Sequence, residues 1–525
     1  MSLFLGRHGE VMELLIVCVC GFTMLLILLW RRSGKLQCLP PRPPGLPIIG
    51  HLHLLRLPLH VSLQKLSQKY GPIFFIMMGS SPNVVVSSPF WAKEFLHNHD
   101  YNFADRPQSE ATKRIFYNNR TLVVMEYGGR WRQLRKLYTV HLLSSKRVEM
   151  FENLRVEEMV LAMKFLESQA SGTVVNLRKF VFNTVGNMVS RMLISKRLFD
   201  ASEAIDGGRE SRFTQLVGQS TPLFVTPFLG DVFPWLSWLD VQGARRRMDK
   251  AAKGYDAFFE RELAERSVAK RGVSDDEADA DYLDMLFRIY NGDGGVDRDS
   301  IKCILLELLT TSMETTATTV EWTLAELLSN PGCMKKLREE LDTLDVEGER
   351  AILNGSVQKC AARDSQLTKL DYLQACIKET LRLHPPSAVN FRQMCKSLDK
   401  GTQVGGFHLP KKTRVIVNLW AMARDNTIWG ANAGIYCPDR FLSDGVVPDL
   451  RGHHFELLPF GTGRRGCPGM NMALTLVPFV VANLVMIFKW EIPSWVTLDL
   501  SKEAPGLSTP LAEPLLAVPT RRHST

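Results

Sequence analysis

The sequence predicts an α+β protein, mainly helical, with small segregated β-sheets, preceded by one N-terminal transmembrane helix. Three observations predict it. Long stretches around 145–170, 240–270, 298–330 and 366–384 carry apolar residues at the helical period. Short apolar runs bracketed by Gly and Pro punctuation cluster near 73–87 and again near 403–418. Many helices with a few strands set apart from them is the α+β pattern with helix dominant. Finally, Leu14–Trp30 is an uncharged apolar run close to the N-terminus.

The chain has 525 residues of ordinary apolar and charged content, enough for one large domain or several small ones. It has no internal repeat and no long low-complexity tract. Ten cysteines are too sparse for a disulfide scaffold, which points to a reducing compartment. None lies in a C-x-x-C pair, which argues against zinc or iron–sulfur ligation.

Taken in order, the elements divide the chain into an anchor at 1–30, a basic and proline-rich hinge at 31–50, and a domain at 51–525. Leu14–Trp30 spans about 26 Å as a helix, at the short end for a bilayer. Arg31, Arg32 and Lys35 follow it at once, so the positive-inside rule places the bulk of the chain in the cytosol. Arg-Arg after the run replaces the small-residue cleavage site that a signal peptide needs. Cytosolic placement also predicts that the sequons at Asn119 and Asn354 stay unglycosylated. Pro40-Pro41-Arg42-Pro43-Pro44 favours a stiff, extended spacer. Ile73–Met78 and Asn83–Ser87 read as a hairpin.

Trp131 and Arg135 are i and i+4, so an indole N–H and a guanidinium share one helix face and can both donate to a carboxylate or phosphate. Gly230–Asp240 contains Phe233, Trp235 and Trp238 and suits either a membrane interface or core packing. The acid-rich stretch Ser274–Asp281 reads as a solvated loop. The central helix, Ser300–Asn330, carries Thr311-Ser312-Met313-Glu314-Thr315-Thr316. An acid beside a hydroxyl can relay protons, although Ser and Thr hydroxyls in a helix also bond back to their own carbonyls. In the helix Leu370–Leu383, Glu379 and Arg382 are i and i+3. Such a pair, if buried, needs further hydrogen bonds, and Arg440 in Pro438-Asp439-Arg440-Phe441 is available.

The most specific run is Phe460-Gly461-Thr462-Gly463-Arg464-Arg465-Gly466-Cys467-Pro468-Gly469. It sets one thiol on a glycine-rich turn with two arginines before it and the apolar run Met470–Phe488 after it. Positive charge and helix N-terminal N–H groups favour the thiolate, which is the metal-binding form. This run resembles the proximal-loop signature of the cytochrome P-450 family, Phe-x-x-Gly-x-Arg-x-Cys-x-Gly, with Phe460, Gly463, Arg465, Cys467 and Gly469 in the fixed positions. The remaining motifs run in family order from about residue 40 to 470 and look like the plant microsomal group.

The resemblance implies a cytochrome P-450 fold and heme b, with the Cys467 thiolate as axial ligand of its iron. It implies that Trp131, Arg135, Arg392, Phe460 and Arg465 hold heme, the arginines and Trp131 through its propionates. It gives Glu314 and Thr315 the passage of protons to O2 before the O–O bond breaks, and it makes Glu379, Arg382 and Arg440 a structural triad. The implied reaction inserts one oxygen atom from O2 into a lipophilic small molecule of phenolic, terpenoid or fatty-acid type, in plant specialised or hormone metabolism. Electrons would come from NADPH through NADPH–cytochrome P-450 reductase. The setting implied is the endoplasmic reticulum membrane, single-pass, with the catalytic domain cytosolic. The net charge of +9, with Arg130, Arg132, Lys136 and Arg464 near the thiolate side, suits an acidic reductase face or an anionic membrane. No feature suggests nucleic acid. Thr311-Ser312 departs from the family's small residue and glycine, and Phe391 from its proline before Arg392. The first departure keeps open an O2-independent heme-thiolate isomerase or dehydratase; Glu314-Thr315 argues against it. A non-catalytic heme-binding sensor is the other alternative.

Overall fold

The computed structural model describes Gly21 and residues 38–205, 210–240, 242–269, 280–291, 297–344, 350–353, 356–359, 362–442, 448–506 and 508–522. The anchor run Leu14–Trp30, apart from Gly21, the Asn354 sequon, and 274–279 of the acid-rich stretch lie outside the described residues.

The largest sheet among the described residues has four strands. β1 (Ile73–Met78) and β2 (Ser81–Val86) make the expected antiparallel hairpin, from Ile73 opposite Val86 to Met78 opposite Ser81. β3 (Val389–Gln393) and β4 (Arg414–Asn418) complete it in the order β1-β2-β4-β3. β2 and β4 pair in parallel, and their Val84–Val86 and Val415–Val417 stretches are fully buried, as parallel central strands require. The proline-rich segment is tied to this sheet and to His51 rather than standing free. The Phe75 N–H donates to the Pro41 carbonyl at 2.8 Å, and a ring nitrogen of His51 lies 2.9 Å from the Pro43 carbonyl.

Helices make up the rest of the core. α1 (Gly129–Lys136) approaches the thiolate loop. α2 (Arg298–Ser329) is the central helix, about 48 Å long. Asp297 caps it by accepting the Ser300 N–H at 2.8 Å, and Pro331 follows its end. α3 (Asp371–Leu383) stops at His384-Pro385-Pro386, and α4 (Met470–Ile487) packs on α2. Among the described residues α4 is the one helix long and apolar enough to cross a membrane, but most of it is buried in the core. Asp281 departs from the solvated-loop expectation. It is buried, accepts hydrogen bonds from Ser195 and Arg266, and caps the following helix through the Asp284 N–H.

The central helix is buried over Ile301–Leu309 and Thr316–Leu327, but Thr311 between them is exposed and Ser312, Glu314 and Thr315 are half-buried. A window in an otherwise enclosed helix means that it faces an interior space there. Threonines line this stretch. The hydroxyls of Thr311, Thr315, Thr319 and Thr323 donate to the carbonyls of Glu307, Thr311, Thr315 and Thr319 at 2.6–2.9 Å. Back-bonding of this kind tends to bend a helix. Here it falls on the threonines.

Candidate heme-thiolate site

The thiolate loop is a tight turn leading into α4. Gly461 and Gly463 have φ of +65° and +67°, a region that L side chains avoid. A Cβ on Gly463 would also lie 2.8 Å from Asp100 Oδ1 and from the Leu96 carbonyl. The Cys467 N–H donates to the Phe460 carbonyl at 2.8 Å and the Gly466 N–H to Gly463 at 3.0 Å, which fixes the turn. Cys467 is exposed by surface area, yet burial among protein atoms raises its thiol pKa. Both hold when a side chain faces an interior space instead of bulk water. The Gly469 N–H and the charges of Arg135 and Arg106 oppose the rise. A bound cation would carry the balance to thiolate.

Four arginines, linked by their mutual repulsion, gather at this loop, and the charges of two of them, Arg135 and Arg106, act on the Cys467 sulfur. Arg135 Nη1 donates to the Gly466 carbonyl at 2.6 Å. Arg392 is fully buried, donates through Nη2 to the Thr462 carbonyl at 3.0 Å, and leaves Nε and Nη1 without a protein partner. Arg106, which sequence reasoning missed, bonds the Phe391 carbonyl and Asn390 Oδ1 through Nη1, and its buried Nε also has no protein partner. Desolvation lowers all four pKa values, that of Arg106 to about 9 and that of Arg465 to about 10. Mutual repulsion adds to the shift: Arg465 acts on Arg106, and Arg106 and Arg465 on Arg392. Among the described residues none of the four forms a carboxylate ion pair. Buried cations with unfilled donors call for an anion, and the two carboxylates of heme b match that donor set. The one signal for Arg106 in the sequence is an arginine before a proline beside the apolar Phe103-Ala104.

Arg465 and Trp131 sit differently from the propionate role that the resemblance gives them. Arg465 Nε, Nη1 and Nη2 donate to the carbonyls of Ala104, Leu122 and Met125. Trp131 Nε1 donates to that same Leu122 carbonyl at 3.2 Å, and its ring lies 4.7 Å from the Arg465 guanidinium carbon. The pair pins the 104–125 segment against the thiolate loop. Glu307 on α2 holds that segment from behind, accepting the Leu122 and Val123 N–H groups at 3.0 and 2.7 Å and the Tyr138 hydroxyl at 2.5 Å. Burial raises the Glu307 pKa, and the Tyr138 hydrogen bond opposes this. Its partners lie more than 160 residues away in the chain, so no local spacing announced it.

Glu314 and Thr315 stand in the window of α2. Thr315 Oγ1 donates to Thr311, leaving the oxygen's lone pairs as acceptors. Glu314 Oε1 accepts from the Ser508 N–H and hydroxyl, each at 3.2 Å. The structure also brings Glu379, Arg382 and Arg440 together. Arg382 Nε and Nη2 grip the two Glu379 oxygens at 2.7 and 2.8 Å, and Arg440 Nε adds 3.0 Å.

An accessible thiol on a glycine-rich turn, beside buried arginines with unfilled donors, fits a heme-thiolate protein. The comparisons agree with that class. The Cytochrome P450 family model matches residues 40–517. The chain is 39% identical to Cytochrome P450 750A1 of Pinus taeda over 94% of this chain and 93% of that protein. It is 37% identical to Flavonoid 3',5'-hydroxylase CYP75B138 of Crocosmia x crocosmiiflora over 94% and 92%, and 34% identical to Cytochrome P450 71A4 of Solanum melongena over 96% and 97%. The chain belongs to the cytochrome P450 family. It is a monooxygenase, an oxidoreductase whose cofactor is heme with an axial cysteine thiolate.

Proposed function

We propose that the protein hydroxylates a hydrophobic phenolic-type small molecule with O2, using NADPH electrons passed by cytochrome P450 reductase at the endoplasmic reticulum membrane. The observation that carries this reading is the accessible thiol of Cys467 under the charges of Arg135 and Arg106, with Arg392 beside them holding buried donors that have no protein partner. Cys467 would hold the heme iron through its thiolate, which would supply the electron donation that heme-thiolate oxygen chemistry uses. Heme supplies the oxygen chemistry when bound. Arg106, Arg135 and Arg392 hold its carboxylates, and Arg465 with Trp131 keeps the loop over them in place. Glu314 and Thr315 hand protons into the pocket. Flavonoid hydroxylases among the relatives favour the phenolic class over terpenoids and fatty acids.

Membrane attachment is supported by Trp235 and Trp238, 63% and 73% exposed. Their segment is joined to the β1–β2 turn by the Ser80 N–H donating to the Val232 carbonyl at 3.3 Å. Indole rings outside the core suit the headgroup depth of a bilayer. Arg130, Arg132 and Lys136 are exposed and available to an acidic reductase face, whereas Arg464, also exposed, is paired with Asp100 at 2.8 Å.

The test is the reduced-CO spectrum of the heme-loaded protein, followed by NADPH-driven turnover with reductase on flavonoids, phenylpropanoids, terpenoids and fatty acids. A thiolate-type spectrum with no turnover on any class would favour a sensor. Turnover independent of NADPH and O2 would favour the isomerase alternative. The arginine ring gives a further expectation. Arg392→Met or Arg106→Met weakens heme retention by about tenfold each, the scale of one hydrogen bond to a charged group. Heme transfer to apomyoglobin measures it, and unchanged transfer rates would remove both residues from the heme edge.

A further inference from the structure

α2 carries seven threonines between 310 and 323, and five of them bond back to a carbonyl four residues earlier. Thr318 departs from that pattern. Its hydroxyl lies 2.8 Å from Ser508 Oγ, and both residues are buried. Ser508 in turn presents its N–H and its hydroxyl to Glu314 Oε1 at 3.2 Å each. Glu314 and Thr318 are i and i+4, so they share one face of α2 and Ser508 bridges them.

A hydroxyl has one hydrogen. With Glu314 ionised, Ser508 donates to the carboxylate and Thr318 donates to Ser508. With Glu314 protonated, the pair can reverse: the acid donates to Ser508 and Ser508 donates to Thr318. Thr318 then turns its hydrogen to the Glu314 carbonyl, the i−4 position its neighbours use. The two hydroxyls therefore satisfy both protonation states without moving the carboxyl.

Ser508 is held rigidly enough to set a direction. The next residue, Thr509, bonds the Pro386 and Pro385 carbonyls at 3.0 and 2.9 Å and accepts the Trp322 indole N–H at 2.9 Å. A Cβ on Gly506 would lie 2.6 Å from the Ser508 carbonyl and 3.3 Å from Glu314 Oε1, so the loop has no slack toward the acid.

We propose that Ser508, with Thr318, is the positioning pair for Glu314, aiming the carboxyl and keeping it ready to take up and release a proton. This rests on the reading that Glu314 relays protons. The relay decides how oxygen is consumed. One O2 with two NADPH and two protons gives two waters; one O2 with one NADPH and one proton gives hydrogen peroxide. Poor proton delivery shifts flux to peroxide, and the comparison is made at one fixed reductase concentration because electron supply also affects the partition.

The heme-loaded enzyme with reductase, NADPH and no added substrate therefore serves as the assay, with water-to-peroxide ratio and solvent deuterium effect as readouts. Ser508→Ala lowers the ratio about fivefold, the scale of one lost hydrogen bond, with the reduced-CO spectrum unchanged. Thr318→Val lowers it in the same direction with a larger deuterium effect, and Thr318→Ser restores it. If Glu314→Gln leaves the ratio unchanged, the relay reading falls. If Glu314→Gln lowers the ratio while Thr318→Val and Ser508→Ala do not, the positioning proposal alone is overturned. Should Ser508→Ala lose the CO spectrum, Thr318→Val, which keeps the loop, decides.

Discussion

Replacing Cys467 by serine abolishes NADPH-driven turnover, by on the order of a thousandfold or more, equivalent to about 4 kcal/mol or more of barrier, and removes the thiolate-type CO spectrum. The turn itself survives, because it is made by backbone bonds: Cys467 N–H to Phe460 and Gly466 N–H to Gly463. A serine hydroxyl stays protonated where the thiol would ionise, so the iron loses its anionic ligand and the electron donation that favours O–O cleavage. Among the described residues, the buried cysteines are poorly placed to replace it. Cys303 and Cys376 are buried with thiol pKa values raised by desolvation, and Cys395, also raised by desolvation, donates to the Tyr101 carbonyl. The arginine ring remains, so heme is retained while its chemistry is lost. Absorbance spectra and NADPH consumption coupled to product on the same preparation check this. A serine variant with both the spectrum and the turnover intact would sink the assignment.

How much of this site was legible depends on how far apart in the chain its parts lie. The thiolate loop was legible because ten consecutive residues carry it, glycines included. Glu379 and Arg382 were legible because helical spacing alone puts them on one face. The long helices followed from their apolar period, and the β1–β2 hairpin from its Gly-Ser turn. The parallel β2–β4 pairing joins residues more than 300 positions apart, and nothing local encodes it. β3 was not read as a strand, because five residues of which three are polar (Asn390, Arg392 and Gln393) are too short a run for their alternation to stand out. Arg106, Glu307 and Ser508 each take their roles from partners far away in sequence. Arg465 shows the converse. Its place in the motif suggested a propionate, whereas the surrounding carbonyls of Ala104, Leu122 and Met125 occupy its guanidinium.

Glu379→Ala shortens the half-life of the folded, heme-loaded protein by about a hundredfold or more at fixed temperature. Glu379 and Arg382 are both 0% exposed. The carboxylate receives four donors: Arg382 Nε and Nη2, Arg440 Nε, and the Cys437 N–H at 2.8 Å. Removing it strands one fully buried guanidinium, half-strands a second and orphans a backbone N–H. Breaking a buried pair by deleting one partner costs about 3–5 kcal/mol, far more than an exposed pair is worth. Arg382 Nη1 still reaches the Ala423 and Ala433 carbonyls, and its guanidinium lies 5.1 Å from the Trp429 ring centroid, so hydrogen bonding survives while charge compensation does not. Because Arg440 and Cys437 belong to the segment between α3 and the thiolate loop, the damage spreads toward Cys467 and not toward the sheet. A chain of this size does not unfold reversibly in one step, so decay of the thiolate-type CO spectrum is the sound measure. Glu379→Gln keeps the shape and one acceptor oxygen but not the charge, and its half-life falls between the two. A Glu379→Ala protein that decays within about twofold of the unaltered chain would mean that carbonyl contacts alone hold Arg382, and that the triad contributes little to keeping the thiolate loop in place.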